Sequence, residues 1–179
     1  MRLFIALKTT PFEDELYRVV EEVKPFLKGV KIVNKKNLHI TIKFLGETEQ
    51  SKVPLIESSL ALASENFNKF SFLIKGISGF PKEEKANVIF FDIVKGREPM
   101  ILLAEFIEKE INKLGFPKEH AFVPHLTFGR AKFELQNLKI ISVKDFSINA
   151  EVLGLSLISS SLTPKGPIYN TLSDFEFHK

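Results

Sequence analysis

The chain has 179 residues, 44% hydrophobic and 26% charged, which is enough for one buried core and outside the ranges of disordered, collagen-like or coiled-coil sequences. It has no cysteine, which removes disulfide frameworks, thiol nucleophiles and Cys-ligated zinc. The formal net charge is only +3, from 25 Lys and Arg against 22 Asp and Glu, so an anionic ligand is admissible but a surface built throughout for nucleic acid is not. No apolar run reaches the roughly 18 residues of a membrane span. Lys8 cuts the apolar start too short for a signal peptide, so a cytoplasmic protein without a membrane partner is expected.

The apolar run from Leu3 to Leu7 reads as a buried strand. Thr10, Pro11 and Glu13 then form a capping box that predicts a helix from Pro11 to Lys28, with Gly29 as its stop and Pro25 as an early kink or end. Val30 to Phe44 has strand character. Alternation from residue 38 puts Leu38, Ile40, Ile42 and Phe44 on one face and His39, Thr41 and Lys43 on the other. A second helix is expected over Lys52 to Ser64, with Leu55, Leu60 and Leu62 apolar, followed by strands over Phe70 to Ile77 and Asn87 to Val94. Pro99 opens a third helix carrying Leu103, Ile107, Ile111 and Leu114, which Gly115 and Pro117 stop. His125 to Arg130 is a short strand, and 144–148, 152–162 and 169–177 read as further strands. Helices and strands do not alternate steadily, which favours an antiparallel α+β fold over a doubly wound sheet, and there is no glycine-rich phosphate loop.

One short pattern recurs. Residues 38–42 read Leu-His-Ile-Thr-Ile and residues 124–128 read Pro-His-Leu-Thr-Phe, so His39 and His125 lie 86 positions apart, about half the chain. An internally duplicated, two-lobed fold has this spacing. On a strand, positions i and i+2 share a face, so each motif presents an imidazole and a hydroxyl to the same side. Displacement at phosphorus needs a base on the attacking oxygen and an acid on the leaving oxygen, and histidine does either near neutrality. Threonine hydroxyls donate to non-bridging phosphate oxygens. Zinc on two histidines needs a further ligand and there is no HExxH, so no metal is expected.

These residues resemble the two-histidine phosphoesterases, specifically the LigT-like RNA 2′,3′-cyclic phosphodiesterases, also called 2′-5′ RNA ligases. The resemblance covers nearly the whole chain. Residues 2–7 are similar to the opening strand, 37–47 (NLHITIKFLGE) to the first motif, 122–130 (FVPHLTFGR) to the second, and 169–175 to the closing segment. It implies a single bilobal α+β domain over 1–179 with pseudo-twofold symmetry, two antiparallel sheets lining a central cleft and helices outside. It further implies hydrolysis of an RNA-terminal 2′,3′-cyclic phosphate to a 2′-phosphate without metal or cofactor, with weak reverse 2′-5′ ligation. His39 is then the acid on the 3′ oxygen, His125 the base on water, and Thr41 and Thr127 hold the phosphate. The partner is RNA with a cyclic-phosphate end, tRNA fragments included, and the protein is a monomer. A related cyclic nucleotide phosphodiesterase and a non-catalytic RNA-binding module are the alternatives; retention of both complete motifs argues against the module.

Arg130 is a candidate phosphate ligand because its guanidinium is a bidentate donor. Strict alternation puts it on the face opposite His125 and Thr127, so either a bulge at Gly129 turns it or it acts from the rim; a surface ion pair is the competing reading. Lys43 is read on the face of His39, and Phe44 on the opposite face as core.

Overall fold

A computed structural model describes all residues, 1–179. In chain order the elements are β1 (Arg2–Thr9), α1 (Glu13–Val23), β2 (Val30–Ile32), β3 (Thr41–Glu47), α2 (Val53–Asn66), β4 (Phe70–Phe80), β5 (Val88–Lys95), α3 (Arg97–Asn112), β6 (His125–Ala131), β7 (Ile148–Thr163) and β8 (Gly166–Glu176). The sheet order is β2-β6-β5-β4-β7-β1-β3, with β8 also on β7, and every pairing is antiparallel. The long β7 joins the halves. Ile148 to Val152 pairs with β4, and from Val152 onward the strand pairs with β1 and β8. Hydrogen bonding therefore makes one continuous eight-stranded sheet with two four-stranded halves.

The halves repeat a local plan: β1-α1-β3 and β5-α3-β6 each place a strand, a helix and a motif strand beside the first strand, with β2 inserted between α1 and β3 in the first and pairing with β6 of the second. The helices bury one stripe each. Leu16, Val19, Val20 and Val23 form it on α1, and Met100, Leu103, Ala104 and Ile107 on α3, at the i, i+3, i+4, i+7 spacing of a helix face against a sheet, with Ile111 one turn further on α3. The α3 stripe follows the sequence reading. On α2 the buried residues are Ile56, Leu60 and Ala63, whereas Leu55 and Leu62 are exposed. One apolar cluster runs through both halves.

Three local expectations change. Thr10 does not cap α1; its Oγ1 accepts from Glu151 N at 2.9 Å, tying the chain to β7, and the helix starts at Glu13, whose carboxylate accepts from Phe12 N. Pro25, lacking an amide donor, does end the helix early, as the sequence allowed: α1 stops at Val23 and passes into a short 3-10 turn, Lys24–Phe26. The stretch 30–44 is broken because Asn34 Oδ1 accepts from Lys36 N at 3.1 Å and sets a turn over Lys35–Asn37; local side-chain bonding wins over strand pattern there. The strand expected over 144–148 starts only at Ile148, where β4 first offers a partner, Ile74.

Candidate active site

β3 and β6 lie near opposite ends of the sheet order, with β5, β4, β7 and β1 between them, yet both line one cleft of about 330 Å³. His39, Thr41, Phe44, His125, Thr127, Arg130 and Tyr169 all face it. The structure thus brings together all five site residues expected from sequence: His39, His125, Thr41, Thr127 and Arg130.

The two imidazoles are held alike. His39 Nδ1 is 2.6 Å from Asn37 O, and His125 Nδ1 is 2.6 Å from Val123 O. A carbonyl only accepts, so both Nδ1 atoms carry the proton and donate it. Nε2 is then the free nitrogen of each ring, a base when neutral and an acid when protonated. Aromatic neighbours fix the ring planes. His39 lies 4.9 Å from Phe4 and 5.3 Å from Tyr169, centroid to centroid, and His125 lies 5.2 Å from both Phe80 and Phe90. The Thr41 and Thr127 hydroxyls have no hydrogen-bond partner in the chain; they are half-buried and free to donate.

Burial lowers the pKa of both histidines from the ordinary imidazole value, chiefly because imidazolium loses water in this cleft. The backbone carbonyl bonds oppose that shift. The Arg130 guanidinium lowers both further, and the His125 charge lowers His39, so the two rings and the arginine feel one another. Burial raises the pKa of the Tyr169 phenol, with Arg130 acting against it.

Two β-bulges decide which residues reach the cleft. On β3, Thr41 pairs with Ala6 and Lys43 with Ile5, so Ile42 is the extra residue. Phe44 then lies opposite Phe4, on the face of Ala6 and Thr41, while Lys43 shares the face of the buried Ile5. The alternation reading of these two residues is therefore reversed. Phe44 is 57% exposed in the cleft rather than core, and Lys43 is buried behind it. On β6, Thr127 pairs with Phe90 and Gly129 with Ile89, making Phe128 the extra residue and turning Arg130 to the face of Thr127. Only glycine fits at 129, because a Cβ there would stand 2.8 Å from Val30 Cγ1. Arg130 has no ion pair, which removes the surface-pair reading.

Sequence reasoning did not single out Tyr169 as a site residue, although it stands at the head of the closing segment that resembles the family. Nor did it find the role of Lys43, whose ammonium is 2.8 Å from Glu108 Oε2 on α3 and 3.1 Å from Pro117 O. No three His, Cys, Asp or Glu side chains converge as a metal-binding group.

Two threonine-flanked imidazoles with free Nε2 atoms, an unpaired arginine and a shared cleft define a site suited to acid–base chemistry on a phosphate ester. The profile of the family described as LigT like Phosphoesterase matches residues 7–90 and 93–169, one His-x-Thr motif in each segment. The chain belongs to that family. It is 35% identical to the RNA 2′,3′-cyclic phosphodiesterase of Methanocaldococcus jannaschii, over 98% of this chain and all of the relative, and 33% identical to that of Thermotoga maritima, over 99% and 96%. Among solved structures, a Thermus thermophilus protein superposes with a TM-score of 0.83 at 29% identity, covering 99% of this chain and 98% of that one. Apo LigT of Escherichia coli superposes at 0.79 with 19% identity, covering 99% and 98%, a likeness of fold. The α+β LigT-like fold read from the sequence is the one observed. No helix is long and apolar enough to cross a membrane.

Proposed function

We propose that the chain hydrolyses the 2′,3′-cyclic phosphate at an RNA end to a 2′-phosphate by metal-independent catalysis between the two histidines. The observation that carries this is the matched pair of Nδ1–H···O=C bonds, which leaves both Nε2 atoms for proton transfer on one cleft. His125 Nε2 takes a proton from water as its oxygen bonds to phosphorus. The bond from phosphorus to the 3′ oxygen breaks, and the proton on His39 Nε2 goes to that oxygen, leaving a 3′-hydroxyl and a 2′-phosphate. Exchange with solvent then resets both rings. The order follows the resemblance of the motifs, because the hydrogen bonding of the two rings is the same.

Thr41, Thr127 and Arg130 donate to the non-bridging oxygens, where charge accumulates in the transition state. Phe44 and Tyr169 offer aromatic faces for the terminal base or sugar. Burial and Arg130 depress both imidazoles, so the acid acquires its proton as the anionic phosphate arrives. Under this reading 1–179 works as one bilobal unit, a cytoplasmic monomer acting on RNA, tRNA fragments among its substrates; the reverse 2′-5′ ligation uses the same two protons in the opposite direction.

The test is an oligoribonucleotide ending in 2′,3′-cyclic phosphate, incubated with the protein in EDTA. A 2′-phosphate product is expected, with His39→Ala and His125→Ala each costing about 10²–10⁴ in rate and the double variant little worse than either. Activity lost in EDTA and restored by a divalent metal overturns the mechanism. Binding without conversion makes the chain an RNA-binding module.

A further inference from the structure

Lys31 of β2 stands directly opposite Arg130 of β6. Opposed residues of an antiparallel pair point to the same side of the sheet, so Lys31 leaves β2 on the side of Arg130, next to the cleft that Arg130 and Val33 line. Its neighbours agree. Val30 and Ile32 point the other way, within reach of a Cβ placed on Gly129, and Val33, two residues beyond Lys31, lines the cleft. The Lys31 ammonium extends to the β7–β8 turn, 3.9 Å from where a Cβ on Gly166 would stand. Lys165 is exposed in that same turn, and Asn37 Nδ2 ties the turn to the first motif by donating to Pro167 O at 2.9 Å.

Like charges directly across a sheet destabilise it. Here Lys31 and Arg130 stand across from each other, and neither of them nor Lys165 has a carboxylate partner that would offset the repulsion. Arg130 is accounted for by the reacting phosphate. Lys31 lies one strand beyond it, roughly 4.5–5.5 Å away at the backbone, and carries its ammonium to the β7–β8 turn, beside the cleft rather than within its lining, where it would meet the next anion along a strand.

We propose that Lys31, assisted by Lys165, binds a second phosphate: the one on the 5′ oxygen of the nucleotide whose cyclic phosphate lies between the histidines. This rests on the proposed reading of the site. It makes the protein selective for polymer ends over free nucleoside cyclic phosphates, because a nucleoside lacks the group Lys31 holds.

The experiment compares kcat/KM on three substrates: adenosine 2′,3′-cyclic phosphate with a free 5′-hydroxyl, the same nucleoside bearing a 5′-phosphate, and a dinucleotide ending in the cyclic phosphate. The wild-type protein is expected to favour the last two by about tenfold or more, as for one charge-assisted phosphate contact. Lys31→Gln should lower kcat/KM about tenfold on those two, mainly through KM, and leave the 5′-hydroxyl substrate within about twofold; Lys31→Arg should restore most of the loss. If only the 5′-phosphate substrate responds, the site takes free nucleotides and the selectivity for polymer ends is overturned; if both respond, it takes RNA, as proposed. Equal rates on all three substrates, or an equal loss on all three in Lys31→Gln, overturn the inference while the cyclic-phosphate reading stands. No hydrolysis of any substrate by wild type overturns both.

Discussion

Replacing Lys43 by Met tests the least expected contact near the site. The side chain is 2% exposed, its ammonium 2.8 Å from Glu108 Oε2, 3.1 Å from Pro117 O and 3.9 Å from Glu119 Oε2. Met keeps most of the apolar stem and removes the charge and its donors. Glu108 then loses its cation and Pro117 O its donor. Breaking one side of a buried ion pair costs about 3–5 kcal/mol. Glu108 retains 22% exposure and Glu119 42%, so both carboxylates recover some hydration, and the lower end, about 3 kcal/mol, is expected. For a chain of this size each kcal/mol lowers Tm by about 2–4 °C, so a fall of about 6–12 °C should appear in thermal unfolding followed by circular dichroism. Adding Glu108→Gln to Lys43→Met should recover part of it, with a coupling of about 0.5–3 kcal/mol in the double-mutant cycle. A fall below about 2 °C, or strictly additive variants, refutes the claim that this ion pair fastens β3 to α3.

Three further outcomes follow from the cleft. Thr41→Ala and Thr127→Ala should each lower kcat by about 10²–10³ with little change in Tm, because these hydroxyls bond nothing within the chain and one lost donor to a transition-state oxygen is worth that much; unchanged turnover in a folded variant removes the phosphate-holding role from that residue. Burial and Arg130 hold both imidazoles below the ordinary value, so the bell of kcat/KM against pH should have both limbs below about pH 6.5. A positive guanidinium disfavours imidazolium, so Arg130→Gln should move both limbs to higher pH while burial still keeps them depressed; limbs that stay fixed or move down would place the guanidinium away from the rings.

The elements were legible where one physical signal acted alone. The 3.6-residue recurrence of Leu103, Ile107 and Ile111 has no competitor in that stretch, and the helix is where the pattern puts it. The imidazole and hydroxyl pairs were legible too, since i and i+2 on extended backbone share a side whatever the sheet does beyond them. Thr10 was misread because its hydroxyl has two possible amide partners, the helix start and Glu151, and only the tertiary arrangement brings the second near. Lys43 and Phe44 were misread because strict alternation assumes one residue per partner, and no residue type in 38–44 announces that Ile42 is extra. The same slip at Phe128 was foreseeable, because Gly129 tolerates the close approach a bulge makes.

The bulges also explain how a repeated local plan comes to line its cleft asymmetrically. Ile42 and Phe128 are the extra residues at equivalent positions, one after each threonine. In both motifs the following residue turns inward and the next turns to the cleft. In the first motif the inward residue is Lys43, tethered to α3, and the cleft residue is Phe44; in the second they are Gly129, packed under Val30, and Arg130. The imidazole and hydroxyl pair repeats, while the flanking position is an aromatic ring on one side and a cation on the other. Under the proposed reading, a phosphate ester set between the rings has its apolar part drawn toward Phe44 and its charge toward Arg130. That polarity requires both slips. Restoring strict alternation in β6 would turn Arg130 away from the histidines, and restoring it in β3 would replace the aromatic wall by an ammonium, leaving a cleft cationic on both sides and no longer biased toward one orientation of the scissile bond.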